Sequence, residues 1–289
     1  MLPEAQGGAG ANLETAGELL FACGARAWPL ALPTTLWVRA ALAVEGRAAP
    51  EGAIALALGE RDGEAVVCQD VAYAAVVDWV LVALDDGAWL LPMDAAEQEA
   101  PGIHGSLLAD LRWPDLPAGS VCLEIARDWR AIGAALFATL IAGAASRVLE
   151  LSLGYAGERN QFGKPIGKFQ AVQQQLSVLA EEVFAVRMAA RLALRGDDLQ
   201  PPPLLAAVAK ARASEAVGTV SAIGHMVHGA IGITEEHDLQ LFTRRLHEWR
   251  LQFGSEAYWQ QRLGQAVLER PGRTLDFIRQ VPTQAERFE

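Results

Sequence analysis

From Asp128 to about Arg270 the chain places apolar residues at helical spacing over long stretches, and no other feature limits its possible folds as much. Phe137, Leu140, Ile141, Ala144, Val148 and Leu151 share one face of a first helix, and Phe169, Val172, Leu176, Leu179, Val183 and Val186 share one face of a second. Gly196, followed by Pro201-Pro202-Pro203, stops the second helix. A third, alanine-rich helix runs from Leu204 to Ile223 with Lys210, Arg212 and Glu215 read onto its polar face. The stretch Gly229-Ala230-Ile231-Gly232 punctuates, and a fourth helix from Asp238 to Leu268 carries Leu241, Leu246, Trp249 and Phe253. Four amphipathic helices joined by short connections must bury their stripes against one another, which predicts an antiparallel bundle.

The front of the chain follows another rule. Ala53 to Leu58, Ala65 to Val67, Trp79 to Leu84 and Ala88 to Pro92 are short runs of β-branched, aromatic and aliphatic residues. Arg61-Asp62-Gly63 and Asp85-Asp86-Gly87 between them read as turns, so a small, mostly antiparallel sheet is predicted. Residues 12 to 45 read as helix broken by Pro29 and Pro33, after a loose, Gly/Ala-rich start. The fold class is α+β, in four segments: a helical remnant over 1–48, a β domain over 49–126, the bundle over 127–270 and a polar tail over 271–289. No internal repeat is present.

Composition removes whole classes of function. The 289 residues are 52% hydrophobic and 20% charged, enough apolar surface for a real core. Lys and Arg total 24 against 35 Asp and Glu, and the formal charge of -11 offers nothing to a phosphate backbone or an anionic bilayer. Neither nucleic acid nor membrane is expected as a partner. The longest continuous apolar runs, such as Ala134 to Ala145, fall short of the roughly 18 residues of a spanning helix, and a cytoplasmic location is expected. Cys23, Cys68 and Cys122 are widely spaced, without a CxxC pair, and read as reduced thiols.

The segment Glu158-Arg159-Asn160-Gln161-Phe162-Gly163-Lys164-Pro165-Ile166 joins the first two bundle helices. It sets a guanidinium beside the backbone N–H groups of a helix start, a combination suited to a phosphate or diphosphate, although a plain helical corner with a surface arginine would look the same. Gly229 and Gly232 alone read equally well as an interhelical turn that needs positive φ.

Tyr155, the run Arg159 to Ile166, Phe169-Gln170, Leu179-Ala180 and the stretch His228 to Thr234 together resemble the signature of the flavin-dependent acyl-CoA dehydrogenase family. The resemblance covers about residues 125 to 268 and, more weakly, 50 to 122. It implies FAD shared across a subunit interface, with Arg159, Gln161, Phe162 and Gly163 gripping the diphosphate of a flavin seated mainly in the other subunit, Gln170 close by, and Gly229 and Gly232 near the adenosine half. Ala230 and Met226 depart from the family's usual second glycine and glutamine.

The family's reaction removes an acyl-CoA α-proton with a carboxylate while a hydride leaves the β-carbon for the flavin. A gapless count from Gly229 puts the usual glutamate at Phe253, and a count back from Arg159 puts the alternative base at Gly133. Neither side chain can take a proton. Glu256, three residues past Phe253 on a continuous helix, is the remaining weak candidate, while Glu248 is five away and off that face. His225, His228, His237 and His247 form no ligand pattern, so no metal is expected. Before Ala53 the family's Thr/Ser-rich flavin-ring strands find no counterpart, and its N-terminal helical domain is represented only by its end.

These gains and losses imply a noncatalytic or half-site subunit of a heteromeric acyl-CoA dehydrogenase. It would complete the FAD site of a full-length partner, as in the α2β2 enzymes of steroid side-chain degradation, with an acyl-CoA substrate in the complex. Two other readings stay open: a self-sufficient homodimeric dehydrogenase with a relocated carboxylate base, and a flavin-free structural or regulatory homologue.

Overall fold

A computed structural model describes residues 8–195, 199–270 and 272–281. The expected stop at Gly196, the first seven residues and the end of the tail lie outside the described residues.

Helix α1 (Leu13–Gly24) is N-capped by Asn12, whose Oδ1 accepts from Thr15 N at 2.9 Å. Helix α2 (Leu32–Val44) starts with Pro33 in its first turn, where the missing N–H costs nothing. The buried Trp37 of α2 donates from Nε1 to Leu199 O at 3.1 Å and ties the front of the chain to the bundle.

The β region comprises β1 (Ile54–Leu58), β2 (Glu60–Asp62), β3 (Ala65–Val71), β4 (Trp79–Leu84), β5 (Gly87–Pro92), β6 (Glu97–Glu99), β7 (Ala109–Trp113) and β8 (Val121–Leu123). They form two four-stranded sheets, ordered β1-β4-β5-β8 and β2-β3-β7-β6, in which the β1–β4 pair is parallel and the other neighbouring strands are antiparallel. The first sheet is covered on both faces. Ala55, Val80, Val82 and Leu91 face a core shared with Val66, Cys68, Leu111 and Trp113 of the second sheet, whereas Ile54, Leu56, Leu81 and Leu90 join the helical core. Burial on both sides explains why these strands read as continuous apolar runs. Arg61 and Asp62 belong to β2, so the first turn falls at Gly63–Glu64 and not where the sequence pattern placed it. Strands β6, β7 and β8 were not expected, because Glu97–Glu99 is fully polar and the others are only three to five residues long.

The bundle contains α3 (Trp129–Glu158), a two-residue hairpin of β9 (Asn160–Gln161) and β10 (Lys164–Pro165), α4 (Gln170–Ala193), α5 (Pro203–His228), α6 (Leu239–Leu251) and α7 (Glu256–Glu269). Helix α8 (Thr274–Gln280) lies within the stretch read as a polar tail. Helix α3 is central: it packs on α1, α4, α5 and α6 and is buried all round from Ala131 to Ala145. By length and composition α3 and residues Pro203–Ile233 could each cross a membrane, longer apolar segments than contiguous runs suggested. Burial of 89% of the apolar window of α3 inside the molecule marks it as a core helix.

Two expectations fail in the bundle. The fourth helix is not continuous: Phe253 at φ +57° and Gly254 at φ +108° break it, and Ser255 caps α7 by accepting from Tyr258 N. Lys210 does not lie on a polar face but is fully buried.

Candidate functional site

Two clefts collect the residues singled out in the sequence. The first, about 790 Å³ and open, is lined by residues that include Tyr155, Arg159, Gln161, Met226, His228 and Gly229. Arg159 ends α3, its N–H bonded to Tyr155 O at 2.8 Å and its carbonyl accepting from Ile166 N at 2.8 Å, so the corner is fixed on both sides. The chain reverses between Gln161 and Lys164 through Phe162 at φ +51° and Gly163 at φ +77°. Two left-handed central residues define a type I′ turn, which Gly163 adopts freely and Phe162 adopts under strain. Phe162 is 93% exposed, and its ring stands perpendicular to that of Phe169 at 6.2 Å between centroids.

Across the cleft, Gly229 ends α5 at φ +63° with open space around its α-carbon, so backbone can approach a ligand there. Gly232 does not have positive φ. It is needed for close approach instead, because a side chain there would sit 2.9 Å from His228 Cβ and Leu239 Cδ2. The structure thus brings Arg159, Gln161 and Gly229 to one cleft, with Phe162 and Gly163 on the adjoining hairpin tip; Gly232 underlies it. Gln170 is exposed at the start of α4 and does not line this cleft.

The floor of the cleft is aromatic. Tyr155 stacks on His228 at 4.7 Å, and His237 meets the His228 ring edge-on at 4.6 Å. His228 Nδ1 is 2.8 Å from Gly224 O, and burial lowers the pKa of its ring. Residues 228 and 155 sit near the ends of two packed helices, and nothing in the one-dimensional pattern pairs them. Among the described residues no group of three or more His, Cys, Asp and Glu is placed to hold a metal.

The second cleft, about 660 Å³, lies between the β region and the α6–α7 break, and Leu56, Asp70, Arg130, Gln252 and Phe253 are among its walls. Here the two positions counted for a base meet. A Cβ on Gly133 would overlap the ring of Phe253, which also packs on Phe137 at 5.5 Å. The space that a side chain on Gly133 would need is filled by the Phe253 ring.

Lys210 holds the break. Its Nζ donates to Ser214 Oγ at 2.7 Å, Arg250 O at 2.6 Å and Gly254 O at 3.0 Å, closing the last turn of α6 and the residue after Phe253 with one side chain. Three acceptors match the three donors of an ammonium. Burial pushes its pKa down to about 7, against the opposing pull of the Glu256 charge.

Glu256 does not share a helix face with Phe253, because the helix is broken between them. Its carboxylate is paired with Arg250 through two hydrogen bonds, and this partner lowers its pKa. An acid engaged in this way is poorly suited to accept a proton. Glu248 is paired with Arg245.

Comparison with known proteins agrees with this geometry. Residues 131–268 match the family described as acyl-CoA dehydrogenase, C-terminal domain. The acyl-CoA dehydrogenase IpdE2 of Mycolicibacterium smegmatis is 32% identical over 249 residues, covering 86% of this chain and 76% of that protein. IpdE2 of Mycobacterium tuberculosis is 31% identical with the same coverage. The chain belongs to the acyl-CoA dehydrogenase family. Its α+β fold is that of the family. A crystal structure of the ChsE4-ChsE5 complex from Mycobacterium tuberculosis superposes with a TM-score of 0.78 at 20% identity, over 93% of this chain and 84% of that one. The Tcur3481-Tcur3483 steroid ACAD G363A variant gives the same TM-score and coverage at 24% identity.

The family implies FAD. The first cleft fits its diphosphate: a guanidinium, an amide side chain and glycine backbone line one open space without a carboxylate among them.

Proposed function

We propose that this chain is the half-site subunit of a heteromeric FAD-dependent acyl-CoA dehydrogenase, lending Arg159, Gln161, Phe162 and Gly163 to a flavin bound mainly by a full-length partner. The observation that carries the reading is the Gly133–Phe253 pair, which fills with carbon the place where a base would stand, while the Arg159 cleft stays open. FAD held in the assembled enzyme would supply the hydride-accepting chemistry at the substrate's β-carbon. Arg159 would orient and neutralise the diphosphate, with the Gly229 backbone facing it near the adenosine half and Gln170 at the edge. The α-proton would be taken by a carboxylate of the partner.

The substrate in this reading is a bulky, steroid-type CoA ester that undergoes α,β-desaturation in a cytoplasmic heterotetramer. The ChsE4-ChsE5 complex and the Tcur3481-Tcur3483 steroid ACAD support it as two-component structures with this fold. The relocated-base reading is weakened by the Arg250–Glu256 pair.

The test is the visible absorbance and light-scattering mass of the chain purified alone and after co-expression with candidate full-length acyl-CoA dehydrogenases. A colourless chain that becomes larger and yellow with one partner, and loses most of that flavin in Arg159→Ala, is the expected result. A stoichiometric flavin band from the chain alone, or unchanged flavin in Arg159→Ala, overturns the reading.

A further inference from the structure

Three histidines, His225, His228 and His237, meet where α5 gives way to α6. His225 Nε2 is 3.0 Å from Thr243 Oγ1, which joins the two helices. His228 donates from Nδ1 to Gly224 O at 2.8 Å, and its Nε2 is buried without a hydrogen-bond partner among the described residues. The turn between the helices lies against both rings: a Cβ on Gly232 would stand 2.9 Å from His228 Cβ and 3.5 Å from His225 Nδ1.

His237 caps the helix that follows. The first N–H groups of a helix have no partner inside it, and an Asn, Asp, Ser or Thr at the N-cap usually supplies one. Asp238 occupies that place in α6, yet its carboxylate makes no capping bond. Leu239 N, on a fully buried residue, donates instead to His237 Nδ1 at 3.1 Å. That bond exists only with Nδ1 bare and the ring proton on Nε2, because a protonated imidazole is a donor at both nitrogens. A positive charge here would also face the positive end of the α6 dipole.

The half-buried His237 ring meets His228 at 4.6 Å and the edge of Tyr155 at 6.3 Å. The titratable and charged groups around the corner are Tyr155 and Arg159 of α3, His225 and His228 of α5, His247 of α6, and Glu235, Glu236 and Asp238 on the segment of His237 itself. The three carboxylates are exposed and draw positive charge towards the turn. Burial lowers the pKa of His228, so that ring resists a proton while its neighbour His237 stands nearer to solvent.

We propose that the α5–α6 corner is a proton-operated latch: uptake of a proton at His237 Nδ1 breaks the bond from Leu239 N and frees the turn over 229–238, and with it the Gly229 wall of the first cleft. The latch is closed at neutral pH and opens in mild acid, across the range in which imidazole changes charge. It is made wholly of this chain's residues and does not depend on flavin or partner.

The test is hydrogen–deuterium exchange of the full chain alone at pH 7.5 and 5.5, corrected for the intrinsic pH dependence of amide exchange and read peptide by peptide. Protection over 229–241 is expected to fall about tenfold at the lower pH, the scale of one bond lost by a buried donor, while α3 and α4 stay within about twofold. His237→Asn keeps an acceptor that does not titrate, so it should match wild type within about twofold at pH 7.5 and lack the acid response. A nitrogen-15 histidine spectrum of wild type gives an independent reading: the His237 proton is expected on Nε2 at pH 7.5, with a second on Nδ1 as the protection falls. Unchanged protection at pH 5.5, a fall that survives in His237→Asn, or a proton on His237 Nδ1 at pH 7.5 overturns the proposal. Flavin content does not enter this assay, so its failure is separate from a failure of the Arg159→Ala test.

Discussion

The ring of Phe253 occupies the volume that a side chain on Gly133 would need, so two residues 120 apart in sequence exclude each other's alternatives. Phe253→Ala empties buried space and is expected to cost about 3–5 kcal/mol. Gly133→Ala forces the ring aside and is expected to cost about 1–3 kcal/mol. The double variant should cost clearly less than the sum, because the new methyl then enters vacated space. Urea unfolding of the four proteins checks this, and simple additivity would show that the pair does not compete.

Lys210 predicts both a stability loss and a direction of pH dependence. Lys210→Met leaves the carbonyls of Arg250 and Gly254 without their donor and should cost about 2–4 kcal/mol. In the folded chain its pKa is lowered to about 7 from 10.5, so between those values the unfolded state binds more protons. The contribution of this group to stability therefore rises as pH goes from about 7 to 10.5, and the burial penalty of the charged form is fully present below that window. Denaturation midpoints of wild type should carry this rise and those of Lys210→Met should lack it.

Glu256 is expected to matter for acid stability and not for turnover. Its pKa is lowered, chiefly by the hydrogen bonds from Arg250, so its contribution is complete above the ordinary carboxylate value of 4.5 and is lost as pH falls through the folded value. Glu256→Gln should flatten that acid-side loss. In the co-expressed complex it should leave acyl-CoA turnover within about twofold; a fall of the order of 10² or more, the scale of a lost general base, would restore Glu256 as the base.

At the hairpin tip, stability and function are expected to move in opposite directions. Phe162→Gly relieves a left-handed conformation that costs roughly 1 kcal/mol for a residue with a side chain, and it removes a ring that is 93% exposed. The chain alone should melt at a slightly higher temperature, while flavin content of the co-expressed complex falls. An unchanged complex would mean that Phe162 makes no contact with the partner.

The helical half was legible because a period of 3.6 leaves a mark in any single helix, and the corner at Arg159 was legible because its residues are contiguous. The β region was read only in part. Runs such as Val80–Leu84 announce themselves by being apolar throughout, whereas Glu97–Glu99 is a strand only because Arg112, Leu111 and Asp110 stand beside it. The break after Leu251 was hidden as well. Phe253 continues the apolar period of Leu246 and Trp249, and only Gly254 and Ser255, a glycine followed by a capping residue, hinted that the helix stops there.

Composition and periodicity by themselves determined the class of fold and the bundle, while the family resemblance implied a diphosphate contact at the Arg159 corner and a base at two positions that carry no ionisable group. Tertiary structure alone decided what those positions mean. Side chains far apart in sequence compete for the same volume or satisfy the same backbone groups, as Phe253 does with Gly133 and as Lys210 does at the α6–α7 break. Such exclusion and satisfaction depend on distances of a few ångströms between separate elements, which no local pattern records. The same holds for Asp70, which lies beyond the run Ala65 to Val67 read as strand: the slipped register of β3 against β7 makes it a wall of the second cleft.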